Sequence, residues 1–474
     1  MQHTIQGIDG GEKLLAAESI DQLGNDMRGR LLGRADADFE DARKIWNGMI
    51  DARPALIAEC TGAADVMTAV RFASENRLLT SVRGGGHNIA GSALCEGGLM
   101  VDLSRMRQVH VNPQAKRARV QGGALLGDID HETQAFGLAV PTGINSTTGI
   151  AGLALGGGYG WLSRSFGHIV DNLVAADVIL GDGQMVHVSA GSNPDLFWAI
   201  RGGGGNFGIV TEFEFQLHNV GPMLLTGPVV HPVENAGDVL RAYREIAAAL
   251  PDEATCWFVL RKAPPLPFLN PKDHGRPVLI LVMAYAGALG EGESVLAPLR
   301  AIGSPIGDGV SPHPYKGWQS AFDPLLGPGA RNYWKSHDYT SLSDELIDLM
   351  SEAAENLPTD ECEIFTAQLG GVAGRVDPDA MAYAHRQTRY TMNIHGRWQD
   401  PAEDELCIGW VRHLFEKAAP TSTGSVYINF VPEAGESRAI GPFGKNLPRL
   451  KEIKTKVDPV NLFRANVQIE PFAT

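Results

Sequence analysis

Between Ser81 and Ser92 the chain reads SVRGGGHNIAGS, three consecutive glycines leading into one histidine. A neutral imidazole can serve as nucleophile, base or metal ligand. A metal needs further ligands, and no His or Cys sits at ligand spacing beside His87, so a nucleophilic or tethering role is the reading that follows. The glycines fit that role. Without side chains the backbone reaches positive φ and can lie against a flat, bulky ligand. Two more segments are of this kind, Gly149–Gly160 (GIAGLALGGGYG) and Arg201–Gly208 (RGGGGNFG). Successive free N–H groups form anion-binding nests, and three such loops in one half of the chain point to a large ligand carrying phosphates. Gly203, Gly205 and Gly208 satisfy GxGxxG, but the segment that follows, IVTEFEFQL, is a strand. A dinucleotide fingerprint needs a helix there, so that reading fails, and there is no P-loop pattern.

The elements that must position these loops are legible from periodicity. PALIAEC predicts a strand. AADVMTAVRFASEN places Val66, Ala69, Val70 and Ala73 on one helical face, and LLTSVRG predicts a second strand. This βαβ unit delivers the GGGH loop. LMVDL, VHV and ARV predict short strands between Gly97 and Val120. Asn172 to Ala190 predicts a hairpin turning at Asp182-Gly183. Residues 1 to about 45 are polar, with a helical run predicted over Ala37–Met49. After His218–Pro222 the texture shifts to strands (CWFVL, VLILVMAY) mixed with amphipathic helices (ESVLAPLRAI, SDELIDLMSEAAENL). The tail from SVYINFV to PFAT predicts a strand, a helix and an extended end.

Composition bounds the function. A chain of 474 residues exceeds one ordinary core. Its 44% apolar and 20% charged residues are normal for a soluble globular enzyme. A net charge of -15 with no basic stripe argues against a nucleic-acid partner. The most basic short run, Lys451–Lys456, reads as a solvated helix face. Cys60, Cys95, Cys256, Cys362 and Cys407 are scattered, odd in number and lack CxxC, which fits neither a disulfide framework nor a zinc site. No apolar run reaches about 18 residues, and the N-terminus shows no basic-then-apolar leader. The expectation is a cytoplasmic protein with no metal and no membrane contact.

Taken together, PALIAECTGAADVMTAVRFA, RGGGH, PTGI…GIAGLALGGGYG, DLFWAIRGGGGNFGIVTEFEF, YINF and DPVNLFRANVQIEP resemble the berberine bridge enzyme-like FAD-linked oxidases, of the vanillyl-alcohol oxidase (PCMH-type) flavoprotein fold. The resemblance runs from about Arg53 to the C-terminus. It implies an α+β fold: a two-part FAD-binding domain (1–220, PCMH-type from about 50, completed by 416–474) and a substrate domain (221–415) with an antiparallel sheet covered by helices. It implies a covalent bond from His87 to the flavin 8α-methyl carbon. By the same resemblance FAD contacts fall on Arg83, Gly84, Gly85, Gly86, His87, Asn88, Gly91 and Ser92, and on Thr142, Gly143, Asn145, Thr147, Gly149 and Gly152. Gly158, Tyr159, Ile209, Asn429 and Asn466 complete the set.

The chain departs from the family in two places. Many members carry a second tether, a cysteine four residues before the glycine matching Gly149. Here that residue is Asn145, so a single tether is expected. The C-terminal motif usually reads N-Q-N and here is Asn466-Val467-Gln468. The residue that gates oxygen in the family is Thr148, small and β-branched, which in the family accompanies oxidases.

For the chemistry, the resemblance points to Asn393, where some members place Glu or Gln, and to Tyr427. Strand alternation puts Thr391, Asn393 and His395 on one face with Arg397 following, and places Tyr427 beside Asn429. Gln368 is a further candidate. A tyrosine base needs a lowered pKa, hence a cationic neighbour such as Arg397. No carboxylate stands at 393, which favours oxidation of an alcohol, a sugar or hydroxylated secondary metabolite, with O2 as acceptor. A flavin dehydrogenase, an amine or alkaloid oxidase, and a non-catalytic flavin-binding protein are the alternatives.

Overall fold

The computed structural model describes residues 2–432 and 441–472. The GGGH loop leaves a small sheet in which Leu56–Glu59, Leu99–Asp102 and Thr80–Arg83 run parallel, with Arg30–Gly33 antiparallel at one edge. Every residue of the first two strands is buried, as parallel strands covered on both faces require. Helix Ala63–Glu75 makes the crossover and buries Val66, Ala69, Val70 and Ala73. The βαβ unit is therefore present, with Leu99–Asp102 inserted between its two strands. Arg83 pins the loop's base. Its Nε donates to the fully buried Asp102 at 2.8 Å, and its Nη1 donates to the Ala42 and Lys44 carbonyls.

The helix predicted over Ala37–Met49 shrinks to Phe39–Ala42. Tertiary bonds pull the rest out of helical geometry: Trp46 Nε1 donates to the Leu326 carbonyl at 2.8 Å, and Asn47 Nδ2 donates to the carbonyls of Ile89 and Asn332.

A second, antiparallel sheet runs in the order Met185–Ser189, Leu173–Ile179, Ile209–Gln216, Arg117–Gln121, Val109–Asn112. Its first hairpin turns at Gly183 with φ +75°. Helix Pro194–Ile200 precedes RGGGGNFG and strand Ile209–Gln216 follows, the reverse of the dinucleotide order.

The third sheet has eight antiparallel strands drawn from Met223 to Trp398. Alternation splits it cleanly. Phe258, Leu260, Ile364, Met392 and Ile394 pack beneath helices Ala236–Ala248, Leu289–Arg300, Asp344–Glu355 and Asp404–Ala418. Trp257, Val282 and Ala367 face the other way, against Tyr159, Trp161 and Tyr427. The architecture is α+β.

Two expectations for the tail change. Ser425–Val431 is not a strand; Ile428–Phe430 forms a 3-10 turn, because Asn429 turns back to donate to Leu153 O and Tyr427 Oη. Helix Leu447–Val457 exists, but Lys454 on it is fully buried rather than solvated. Its ammonium donates to Asn206 O, Asp458 Oδ2 and Phe463 O at 2.7, 2.6 and 2.9 Å. Asn206 in turn holds the tail through Val467 O and Ile469 N.

Candidate active site

All three glycine-rich segments meet at one cavity of about 320 Å³, between the first two sheets and the free face of the third. Its loop side includes Gly84, Gly85, Gly86, His87, Asn88, Gly143, Asn145, Thr148, Gly149 and Gly152. Gly85 and Gly149 cross so closely that a Cβ on either would lie 2.4 Å or less from the other's backbone. Among the described residues, no amide N–H from Gly84 to Asn88 has a hydrogen-bond acceptor. Five free donors in a row suit a phosphate or the acceptor edge of a flavin ring. A Cβ on Gly152 would meet nothing within 4 Å. This cradle fits FAD, which when bound supplies the two-electron acceptor.

The remaining expected contacts separate into lining and supporting residues. Tyr159, Ile209, Asn429 and Asn466 line the cavity; so does Val467, while Gln468 is exposed. Arg83, Gly91, Ser92, Thr142, Thr147 and Gly158 do not line it. Gly91 (φ +77°) and Ser92 close the turn that orients Asn88, whose Oδ1 accepts from Ser92 N at 3.0 Å. Thr142 Oγ1 and Gly143 O accept from Gln319 Nε2 at 2.7 and 3.0 Å, so the third sheet's flank grips this loop. Asp323 does the same for Ser146.

His87 lines the cavity, and burial pushes its imidazole down to about 4. It stacks on Trp46 with ring centroids 5.1 Å apart at 20°. The imidazole is therefore neutral at physiological pH.

The opposite wall is the free face of the third sheet. Arg261, Glu363, His395 and Trp334 form one row across four adjacent strands. Phe365 and Asn393 stand in the next row. Arg261 Nη1 donates to Glu363 Oε2 at 2.8 Å. His395 Nδ1 lies 3.5 Å from Glu363 Oε1, and its Nε2 lies 3.0 Å from Asn332 Oδ1. Arg397 donates to that same amide oxygen. Burial raises Glu363, but Arg261, His395 and Arg397 outweigh it and hold the carboxyl below its ordinary value. Burial pushes His395 down, with Glu363 opposing. Asn332 Oδ1 only accepts, so Nε2 carries a hydrogen; Nδ1 faces the carboxylate with a lone pair in the neutral ring, and becomes the N–H donor that lowers Glu363 once the ring is protonated. The pair has room for one proton. Asn393 Oδ1 is buried without a hydrogen-bond partner among the described residues.

Tyr427 lines the cavity, but its environment is the opposite of what a phenolate needs. Burial pushes its pKa up, and Arg397 is spent on Glu361, Asn332 and the Gly327 carbonyl. Tyr427 Oη accepts from Gly158 N and Asn429 Nδ2 at 3.2 and 2.8 Å. Among the described residues its own O–H has no acceptor and stays free to donate. Gln368 is structural, tied to Cys256 N and Ala247 O.

Sequence reasoning missed several wall residues: Trp46, Trp257, Leu326, Trp334, Glu363, Phe365 and Phe430. Glu363 and Phe365 share the alternation of their strand, which could have flagged them.

A family model described as "FAD binding domain" matches residues 54–189, and one described as "Berberine and berberine like" matches 426–470. The (R)-6-hydroxynicotine oxidase of Paenarthrobacter nicotinovorans is 34% identical over 94% of this chain and 97% of its own. The chain belongs to the berberine bridge enzyme-like family of FAD-linked oxidoreductases. Xylooligosaccharide oxidase of Thermothelomyces thermophilus is 28% identical over 96% of this chain and 94% of its own. The crystal structure of 6-hydroxy-D-nicotine oxidase from Arthrobacter nicotinovorans superposes with a TM-score of 0.84 at 27% identity, covering 94% and 98% of the two chains. The vanillyl-alcohol oxidase type of fold and the FAD-linked oxidoreductase class follow. The scaffold thus serves relatives named for a hydroxylated heterocycle and for an oligosaccharide, so within it the cavity wall must set the substrate.

Proposed function

We propose that this chain is an oxidase whose FAD is covalently tethered to His87 alone, and that it oxidises the alcohol of a compact, flat, hydroxylated metabolite, with O2 as electron acceptor and H2O2 as product. The observation that carries the substrate side is the buried, unpartnered Asn393 Oδ1, set in an aromatic wall of Trp46, Trp257, Trp334, Phe365 and Phe430. An unpaired buried acceptor is costly unless a ligand donates to it, and a hydroxyl does. The aromatic faces suit a flat body better than a long sugar chain. Glu363 is already neutralised by Arg261, so the wall offers no spare countercharge to an ammonium group, which favours the alcohol.

The residues then divide the work. Asn393 accepts from a second hydroxyl of the substrate and so orients it, while the neutral Tyr427 donates to the oxygen of the reacting hydroxyl. The gap between Glu363 Oε1 and His395 Nδ1 accepts the proton of that reacting hydroxyl. Thr148, on the loop side, leaves a small β-branched surface next to the flavin site, the shape that accompanies oxygen reactivity in the family.

Acid precipitation of the purified holoprotein tests the tether. Flavin colour and fluorescence should stay with the wild-type pellet and pass to the supernatant in His87→Ala. Covalent flavin in that variant would place the tether elsewhere. Peroxide release under air, screened over aromatic alcohols, oligosaccharides and amines, tests the rest; turnover only with an added acceptor would make it a dehydrogenase.

A further inference from the structure

His87 is held on one edge by a two-residue chain that begins at Thr147, which does not line the cavity. Its Nε2 lies 2.9 Å from Thr147 Oγ1. That oxygen is 2.6 Å from Asn145 Oδ1, which also accepts from the Thr147 amide N–H at 3.0 Å. A backbone N–H can only donate, so this second bond identifies the Asn145 atom as its oxygen and settles the amide orientation. An amide oxygen only accepts. The single Thr147 hydroxyl proton therefore goes to Asn145, and the Thr147 oxygen is left as an acceptor for the imidazole. His87 is consequently the Nε2–H tautomer. Nδ1 keeps its lone pair and has no hydrogen-bond partner among the described residues. Trp46, anchored by its own bond to Leu326 O, fixes the ring plane. Burial keeps the imidazole uncharged, so the lone pair is available.

We propose that Thr147 and Asn145 are positioning residues for flavin attachment, locking His87 as the Nε2–H tautomer and presenting Nδ1 to the flavin methyl. This rests on the tether proposed above. It gives Asn145 a use at the position where other members carry a second tethering cysteine: here the side chain orients the histidine. Attachment replaces one hydrogen of the 8α-methyl group with a bond to Nδ1. That hydrogen and the Nε2 proton leave with two electrons, and O2, the acceptor of the proposed activity, takes them up as one H2O2. Releasing the lock lets the ring flip its tautomer or rotate, and misorientation of this order slows a positioned reaction by about tenfold to a hundredfold.

The test follows attachment itself and needs no substrate. Apoprotein made under riboflavin limitation is mixed with FAD, and the acid-stable flavin fraction and intact mass are followed with time. Thr147→Val, which keeps the shape and removes the hydroxyl, should bind FAD yet attach it at least about tenfold more slowly. Thr147→Ser should restore the wild-type rate. Where Thr147→Val does not fold, Asn145→Ala reads the same lock one residue further out, with the same slowing expected. Attachment at the wild-type rate in Thr147→Val or Asn145→Ala overturns the assignment while leaving the tether intact. A wild-type protein whose flavin is wholly extractable overturns the tether, and this assignment with it.

Discussion

Replacing Asp130 by Asn should stabilise the protein at pH 8 and change little at pH 4. Asp130 is 1% exposed, its Oδ1 has no hydrogen-bond partner among the described residues, and Oδ2 has only a 3.3 Å bond from Gln319 Nε2. Burial pushes its carboxyl up from 3.8 to about 7, against weaker opposite pulls from Gln319 and Lys316. The folded protein therefore keeps a proton that the unfolded chain releases. Between pH 4 and 7 the folded state binds more protons than the unfolded state, so this group's contribution to stability falls as pH rises and is lowest above 7. About three pH units at about 1.4 kcal/mol each give an upper bound of about 4 kcal/mol, and relaxation around the charged form brings the expected effect to roughly 2–4 kcal/mol. Asparagine has no proton to release, and its amide can donate to Gln319 Oε1, which also lacks a partner among the described residues. The assay is the thermal midpoint of wild-type and Asp130→Asn holoprotein from pH 4 to 8.5. At about 2 °C per kcal/mol for a large chain, the variant should pull ahead by several degrees as pH rises through 4 to 7 and keep that lead above. Parallel curves across the whole range would refute the reasoning. Because Gln319 also grips Thr142 and Gly143, the same series should show flavin retention following stability.

Gly85→Ala and Gly152→Ala should behave oppositely. A Cβ at Gly85 meets the Gly149 backbone at 2.4 Å, so that variant should lose more than about 1–3 kcal/mol and lower the midpoint even without flavin. A Cβ at Gly152 meets open space inside helix Ile150–Leu155, so Gly152→Ala should keep the apoprotein midpoint while its flavin content falls; unchanged flavin binding would remove Gly152 from the cofactor site. Lys454→Met strands the fully buried Asp458 carboxylate and should cost about 3–5 kcal/mol. It should also free the tail held by Asn206, read as faster proteolytic cleavage after residue 457; wild-type cleavage rates would contradict that coupling.

What could be read from the sequence was whatever depends on neighbours along the chain. Glycine runs, the turn at Asp182-Gly183 and the two-residue alternation of Tyr390–Trp398 are local, and the structure contains each of them. Local charge pattern misled at Lys454, which reads as one more solvated lysine until the Asn206, Asp458 and Phe463 oxygens converge on it. Local propensity misled at Trp46, whose position is fixed by Leu326, 280 residues away. Tyr427 shows the same limit for chemistry: its type is compatible with a base, and only Gly158 N–H, Asn429 and burial make it a donor.

The row Arg261, Glu363, His395 and Trp334 depends on a still less local fact, the register of four strands from separate parts of the chain. A slip of one residue in a strand exchanges its two faces. It would turn Ile364 and Ile394 toward the cavity and carry Glu363 and His395 under the helices. That register is held from the other side of the sheet, where Ile364, Met392 and Ile394 are fully buried against helices Asp344–Glu355 and Asp404–Ala418. The apolar face away from the cavity is thus what places the carboxylate and imidazole in it. Substitutions at Ile364 or Ile394 should therefore disturb proton acceptance without touching any group that lines the site.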